Sequence, residues 1–269
     1  MGSSRPIGID RRRSSEIPVY RTIQQTAGDF ASGFYVAFCV RVWYTGYGRM
    51  TNRNLTVAWL VEECLFMKKF IRKNNLELLT VLMAVVMVIT VCLPKPSLVR
   101  KVMAVYMLLF ILHEWEETRF PGGFASLMNK FFGITTSKEK LEWAHIPVSV
   151  LLLAILLIPY IFDSVAMLTL IPAFLGIMEG LIHVIGIKLH KMTKPYTPGM
   201  ITALCLLVTS VWVFWTFAST YLVSGTDFIL AAAFMLVAFI CMQRTVIAIY
   251  GLHYSDLIKF AKKKFGESC

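Results

Sequence analysis

Charged side chains are scarce in this chain of 269 residues: Asp, Glu, Lys and Arg make up 16%, whereas apolar residues make up 57%. A soluble domain usually has roughly 25% charged and about 45–50% apolar residues. The composition therefore excludes a disordered chain, a nucleic-acid-binding domain and a small secreted module held by disulfides. It indicates a protein that resides in a lipid bilayer.

The chain also lacks the cysteine spacing of metal sites and disulfide frameworks. Its six cysteines, at positions 39, 64, 92, 205, 241 and 269, are scattered, and no CxxC pair occurs. Neither a cysteine-bound metal nor a disulfide framework is predicted.

Long apolar runs are plentiful by contrast. A run near 20 residues predicts a membrane-spanning helix, because the backbone must satisfy its own hydrogen bonds in hydrocarbon. We therefore predict an all-α, polytopic membrane helical bundle with about six transmembrane helices. A seventh span within residues 28–47 is an alternative to an interfacial helix there. The six runs are Leu76–Leu93, Val102–Glu117, Trp143–Phe162, Ser164–Leu189, Pro198–Val223 and Phe228–Tyr250.

Basic residues predict the orientation of the bundle. Fifteen lysines and arginines lie in the connections on one side of the membrane, against three on the other. Loops rich in Lys and Arg remain in the cytosol, so both termini are predicted to be cytosolic. In a eukaryotic cell the endoplasmic reticulum is the default location.

Composition also divides the chain into four regions. Residues 1–27 are expected to form a basic, disordered cytosolic tail, and residues 28–75 interfacial helices, with an amphipathic one over 55–71. Residues 76–250 form the transmembrane domain, and residues 251–269 a basic amphipathic tail. The predicted partners are membrane lipids and a membrane-soluble small molecule, with no nucleic acid.

Histidine and glutamate side chains interrupt the predicted spans in a pattern. Helical spacing puts those of the second span on one arc and those of the fourth span on one stripe. Because these two spans run toward the cytosol and the third starts there, all the candidates are predicted to lie in one leaflet. They are His113, Glu116 and Glu117 in the second span, His145 at the start of the third, and Glu179 and His183 in the fourth.

The carboxylates in this set need a positive partner. No Lys or Arg lies between Lys140 and Lys188, so Glu179 has no local counter-charge, and a carboxylate inside a membrane is functional by default. Glu116 and Glu117 end their helix, where the macrodipole disfavours anions. We expect a nearby cation there, whether a metal ion, a proton or an arginine.

Imidazole and carboxylate ligands at helical spacing suit a divalent transition metal such as Zn, Fe or Mn. Such an ion would activate water or dioxygen, which predicts a hydrolase or an oxidoreductase. The predicted general bases are Glu116 and Glu117. The predicted metal ligands are His113, Glu116, Glu117, His145, Glu179 and His183.

A proline–glycine corner precedes the fifth span. Thr197 is predicted to be the N-cap of that helix, with Pro198 at its first position. Tyr196 has two candidate roles: it orients substrate or stabilises developing charge in the site, or it anchors the chain at the membrane interface.

Together these motifs resemble the membrane family named for its HXXEE motif. The matching residues are His113-Glu114-Trp115-Glu116-Glu117, then His183, then Tyr196-Thr197-Pro198-Gly199, and the resemblance covers about 102–223. Family members often have Asn four residues before the later histidine, where this chain has Glu179. The resemblance implies a polytopic helical fold, but it supplies no reaction.

Three functions fit these observations. The leading one is a metal-dependent membrane enzyme that acts on a lipid or membrane-soluble substrate. A proton-coupled or ion-coupled transporter would use the same carboxylates. A non-catalytic scaffold would use the basic tail to contact anionic lipid or a partner. The oligomeric state is open, since Gly176 and Gly180 could serve contacts within or between subunits.

Overall fold

The computed structural model describes residues 53–190, 192–253 and 255, with side chains from Glu62 onward. The predicted tail at 1–27, the segment 28–47 and residues 256–269 of the predicted C-terminal tail lie outside the described residues. By its contacts the chain divides into two compact units, residues 1–69 and 70–269. The four predicted regions are not tested by this division and stay predictions.

The described residues form α-helices joined by short turns, without any strand among them. The predicted all-α class is therefore confirmed. The helices are α1 (Arg53–Lys73), α2 (Asn75–Cys92), α3 (Leu98–Thr118), α4 (Phe124–Phe132), α5 (Lys138–Ile161), α6 (Leu170–Leu189, after a 3-10 turn over Ala166–Thr169), α7 (Met200–Ser219) and α8 (Gly225–Tyr250).

Five helical segments among the described residues are long and apolar enough to cross a membrane: α2, α5, α6 with its preceding turn, α7 and α8. They coincide with five of the six predicted spans. The other predicted span corresponds to α3, whose 21 residues are about 31 Å long at 1.5 Å per residue. Both ends of α3 carry charged side chains, and for this reason it is not among the five helices that are apolar enough to cross a membrane.

Helix α3 is nevertheless the centre of the bundle. It packs against α2, α5 and α7, while α8 packs against α5 and α6. Met103, Tyr106 and Met107 are completely buried along α3, and the Tyr106 hydroxyl donates to Ser210 Oγ on α7 at 3.0 Å. A helix with charged groups near both ends thus lies in the middle of an apolar bundle, where neighbouring helices shield its buried polar groups.

Helices α6 and α7 lie in close contact because two glycines of α6 face α7. A Cβ atom added at Gly180 would lie 2.6 Å from Leu207 Cβ, and one added at Gly176 would collide with Ser210 Oγ. The Gly176/Gly180 pair therefore serves packing within one subunit. This close approach fixes α7 against the helix that carries Glu179 and His183.

Chain direction brings three helix termini to one end of the bundle. The C-terminal parts of α3 and α6 meet there with the start of α7, as contacts of His113 with Thr202 and of His183 with Thr197 show. At the other end, Ser97 and Arg100 near the start of α3 contact Asp163, just after α5. The predicted meeting of the second and fourth spans at one level is confirmed.

Candidate metal centre

Helices α3 and α6 each contribute a histidine and a glutamate four residues apart. The His113 and His183 rings are perpendicular, with centroids 5.1 Å apart. Glu117 Oε1 lies 3.6 Å from His113 Nε2 and 3.1 Å from His183 Nε2. Glu179 Oε2 lies 3.8 Å and 3.9 Å from the same two nitrogens. The four side chains therefore converge on one small volume.

These separations suit a single bound ion. One donor atom each from His113, Glu179 and His183 lies within 4.8 Å of the other two. With metal–ligand distances of about 2.0–2.2 Å, donor atoms around a tetrahedral ion are roughly 3.3–3.6 Å apart. The distances from Glu179 Oε2 to the two Nε2 atoms, 3.8 Å and 3.9 Å, would shorten by a few tenths of an ångström on binding, and the widest separation in the group by about 1 Å. The group could therefore hold a metal ion.

The ring of His113 is held in one orientation by its other nitrogen. Nδ1 lies 3.1 Å from the Gly199 carbonyl oxygen and 3.1 Å from Thr202 Oγ1. A carbonyl only accepts hydrogen bonds, and the Thr202 hydroxyl donates to Glu116 at 2.5 Å, so both neighbours accept from Nδ1–H. In neutral His113 the lone pair is consequently on Nε2, facing the carboxylates.

His183 is oriented in the same way. Its Nδ1 lies 2.9 Å from Thr197 Oγ1, and that hydroxyl donates to the His183 carbonyl at 3.4 Å. The proton of neutral His183 is therefore on Nδ1. Its Nε2 is buried and makes no hydrogen bond with any described residue. A buried nitrogen lone pair directed at two carboxylates is what a metal ion would satisfy.

The cluster combines two acidic side chains with two imidazoles. Side-chain exposure is 4% for His113, 2% for His183, 12% for Glu117 and 20% for Glu179. In the part of the chain that the structure describes, the ion-pair partners of the two glutamates are these histidines alone. Two ionised carboxylates and two neutral imidazoles sum to −2, which a divalent ion would cancel. Buried charges need such compensation, because desolvation is costly.

Gly199 closes the cluster on the side of α7. Its φ of +89° lies in the left-handed region. A Cβ atom at this position would lie 2.6 Å from Glu117 Cγ and 2.9 Å from Cε1 of both His113 and His183. The absence of a side chain thus lets the backbone touch three members of the cluster at once.

The structure gives Glu116 a different environment. Its carboxylate accepts hydrogen bonds from the backbone N–H groups of Ile201 at 3.1 Å and Thr202 at 2.9 Å, in the first turn of α7. Glu116 therefore caps a helix other than its own, and the positive end of the α7 dipole provides the expected relief of charge. Its predicted roles as metal ligand and general base are not tested, but these contacts direct it away from the cluster.

Tyr196 contacts Glu116, which is connected to His113 through Thr202. Its hydroxyl donates to Glu116 Oε1 at 3.0 Å. Burial, followed by the hydrogen bond to Glu116, raises the pKa of Tyr196 to about 12. The phenol thus stays protonated at neutral pH and remains a donor. Of its two predicted roles, the hydrogen bond to Glu116 favours orientation within the site over anchoring at the interface.

The structure differs from the sequence predictions at His145 and at the start of α7. His145, on α5, is not part of the convergent group that the described residues form. The predicted N-cap at Thr197 is wrong: α7 begins at Met200, and Gly199 is its N-cap. The physical reason is that Glu116 already satisfies the first free N–H groups, while the Thr197 hydroxyl is engaged by His183.

Sequence reasoning missed three supporting residues, namely Thr197, Gly199 and Thr202. The Tyr-Thr-Pro-Gly sequence was interpreted as a helix start, yet two of its residues contact histidines. Metal-binding histidines usually donate their second nitrogen to an oxygen acceptor. The signal that could have identified the two threonines is a hydroxyl side chain beside the Pro198-Gly199 helix start, at the same membrane level as a histidine.

Comparison with known proteins agrees with the motifs. Residues 104–213 match the family described as "Protein of unknown function with HXXEE motif". The predicted resemblance is thereby confirmed over the segment that holds His113, Glu117, Glu179, His183 and Gly199. No curated protein and no solved structure gives a significant match.

Proposed function

We propose that this membrane protein is a metal-dependent enzyme that acts on a lipid or another membrane-soluble substrate. One observation carries the proposal: two imidazole Nε2 atoms, with their Nδ1 atoms tied to oxygen acceptors, face two carboxylates that have no Lys or Arg partner among the described residues. A divalent Zn, Fe or Mn ion fits this donor set in charge and in ligand type.

Each member of the cluster has a proposed role. His113, His183 and Glu179 hold the ion, which supplies electrophilic activation of the substrate and of water. Glu117 acts as general base and takes a proton from the attacking water. Its Oε1 is 3.1 Å from His183 Nε2, so it lies within reach of a water in the same volume.

Glu116 and Tyr196 are proposed to be positioning residues. Glu116 joins the start of α7 to α3 through four hydrogen bonds, one of them from Tyr196. Thr202, which bonds Glu116, also accepts from His113. Glu116 therefore acts on the cluster by holding the His113 ring in place.

The proposed site lies in the cytosolic leaflet. Lys138 and Lys188 belong to helix termini at the histidine end of the bundle, whereas Arg100 and Lys101 belong to the other end. These residues belong to the charge asymmetry counted in the sequence, which supports a cytosolic histidine end. Glycosylation mapping tests the predicted orientation: a glycan on Asn54 of the Asn54-Leu55-Thr56 acceptor would contradict it.

The enzyme proposal is tested by lipid turnover. Purified protein in vesicles of total cellular lipid is supplied with Zn²⁺, Fe²⁺ or Mn²⁺, and the lipids are compared by mass spectrometry. We expect one metal-dependent substrate–product pair, lost with chelator and with Glu117→Gln but retained with Glu77→Gln. Glu77 is a matched control, because it pairs with Arg119 away from the cluster.

Other outcomes identify the alternatives. Proton flux into the vesicles, lost in Glu179→Gln without any lipid conversion, would replace the enzyme with an ion-coupled transporter. Bound metal with neither turnover nor flux in the presence of all cellular lipids would favour a scaffold and contradict the enzyme proposal.

A further inference from the structure

A narrow, partly open crevice lies between α3, α5, α6 and α8. Two of its lining side chains, His113 and Glu179, also belong to the metal centre, so an occupant of the crevice contacts residues of that centre. The crevice has a volume of about 30 Å³. A buried water needs roughly 10–15 Å³ of such volume, so one or two water molecules fit, whereas a hydrocarbon chain does not.

Polar and apolar side chains of the crevice are separated along the bundle. On α3, Phe110 lies about one turn before Glu114, and on α6 Leu175 lies about one turn before Glu179. Both helices run toward the histidine end of the bundle. The two glutamates therefore lie nearer that end than the apolar residues do.

The deep end of the crevice is closed by buried apolar side chains. Phe110, Leu152 and Leu175 line it and are buried. Leu152 lies on α5 about one turn beyond Val148, in the direction away from the histidine end, because α5 starts at that end. Water that enters beside the glutamates stops at this apolar floor, since it finds no hydrogen-bond partner there.

The glutamates offer the polar partners that a bound water requires, which number two to four. The backbone carbonyl of Glu114 accepts from Thr118 Oγ1, whereas its carboxyl group has no hydrogen-bond partner among the described residues. A carboxyl group forms hydrogen bonds with water in either protonation state. The crevice therefore suits water whether or not Glu114 and Glu179 are charged.

We propose that the crevice is a water-binding site of the metal centre, which holds one or two water molecules against Glu114 and Glu179 and supplies the water from which Glu117 takes a proton. The binding of water rests on the crevice alone, whereas its delivery rests on the proposed function. A lipid substrate then approaches the metal centre from another side, because the crevice is too small for a hydrocarbon chain.

Hydroxyl-radical footprinting tests the binding of water, because radicals formed from bound water oxidise adjacent methionine side chains. The full chain in phosphatidylcholine nanodiscs is irradiated with X-rays, and oxidation of each methionine is measured by mass spectrometry. Met242 lines the crevice, and Met235 lies earlier on the same helix, buried and outside the crevice lining. We expect Met242 to be oxidised faster than Met235. Equal rates in the wild type would overturn the assignment.

Substitutions on α5 distinguish the crevice from the outer surface. Val148→Phe should fill the crevice and lower the oxidation rate of Met242 to that of Met235. Val150→Phe is the matched control and should leave the rate unchanged, because Val150 is 59% exposed and does not line the crevice. Val148→Ala, which removes bulk, should raise the rate, so the test holds even if the phenylalanine variant does not fold. Equal rates in the two phenylalanine variants, or no increase in Val148→Ala, would overturn the assignment.

Two substitutions of Glu114 test its part in holding the water. Glu114→Leu removes the hydrogen-bonding group and should lower the oxidation rate of Met242. Glu114→Gln keeps such a group without a charge and should preserve the rate. Equal rates in Glu114→Leu and the wild type would show that Glu114 does not hold the water.

Metal content and lipid turnover of the same samples separate this proposal from the proposed function. Val148→Phe should retain its metal and lose turnover, because Val148 is outside the convergent ligand group but borders the water site. The expected oxidation of Met242 in a protein that binds no metal and converts no lipid would sustain the water site and contradict the enzyme. Turnover by Val148→Phe at the wild-type rate would contradict delivery through the crevice and leave the enzyme standing.

Discussion

At the end of the bundle opposite the histidines, Asp163 is neutralised by the chain itself. It accepts a hydrogen bond from Ser97 Oγ at 2.7 Å and pairs with Arg100 at 3.2 Å. The Arg100 guanidinium lies 5.8 Å from the centroid of the Tyr160 ring, and Thr90 donates to the Tyr160 hydroxyl at 2.9 Å. At the histidine end, Glu117 and Glu179 meet only imidazoles among the described residues.

The difference indicates the end at which the proposed metal ion would bind. The Asp163 cluster joins α2, α3 and α5, and its carboxylate is neutralised by an arginine of the same chain. The histidine cluster is more deeply buried, yet its two carboxylates have no Lys or Arg partner among the described residues. A cluster that serves packing alone would be expected to resemble the first, because uncompensated buried charge destabilises a fold.

The largest expected effect on metal affinity is that of Gly199→Ala. The new Cβ would collide with Glu117 and both histidines, so metal affinity should fall by about a hundredfold or more, at or beyond the upper range for changes around a metal site. Metal titration in detergent measures it. Gly133→Ala is the matched control, because Gly133 also has positive φ (+63°) but no atom within 4 Å of its added Cβ. Equal losses in both variants would mean that backbone strain, not contact with the site, is responsible.

A smaller effect is expected for Thr197→Val. This change removes the acceptor of His183 Nδ1–H at nearly constant volume, and such supporting contacts are typically worth about 10–100-fold in metal affinity. Thr90→Val removes a buried hydroxyl of the opposite cluster and should leave metal affinity unchanged. Isothermal titration of both variants is the measurement. An unaffected Thr197→Val protein would show that His183 does not need this support.

The smallest effects concern stability, and their signs should differ between the two ends. Asp163→Asn should destabilise the protein by about 1 kcal/mol, since it weakens a half-buried ion pair. In metal-free protein, Glu179→Gln should instead raise the melting temperature, because it removes an uncompensated charge. Thermal unfolding with and without chelator tests both. Destabilisation by Glu179→Gln in the metal-free state would contradict the charge argument.

Helical spacing and span direction predict that side chains of α3 and α6 converge, and His113, Glu179 and His183 do lie together. The four-residue intervals His113–Glu117 and Glu179–His183 fix each pair on one helix face, and because α3 and α6 run in the same direction, the C-terminal parts of both helices lie at one level. The long apolar runs likewise predicted the positions of the helices, because burial in lipid leaves little choice of secondary structure.

What the sequence could not predict depends on contacts between helices. Glu116 and Glu117 are adjacent in sequence and share a helical arc, yet one caps α7 and the other faces the histidines. The rotation of α3 relative to α7 decides between these partners. It is constrained by close packing: Gly199 lets the start of α7 contact Glu117 and His113 of α3, while Gly176 and Gly180 let α7 approach α6.

The metal content of the purified protein tests the central claim most directly. Elemental analysis of wild type, His183→Ala and His145→Ala should show about one equivalent of a divalent transition metal in the wild type. The metal should be lost from His183→Ala and retained in His145→Ala, with helical content unchanged in all three proteins. A wild-type protein that binds no transition metal after incubation with Zn²⁺, Fe²⁺ and Mn²⁺, or a His183→Ala protein that binds as much as the wild type, would contradict the account.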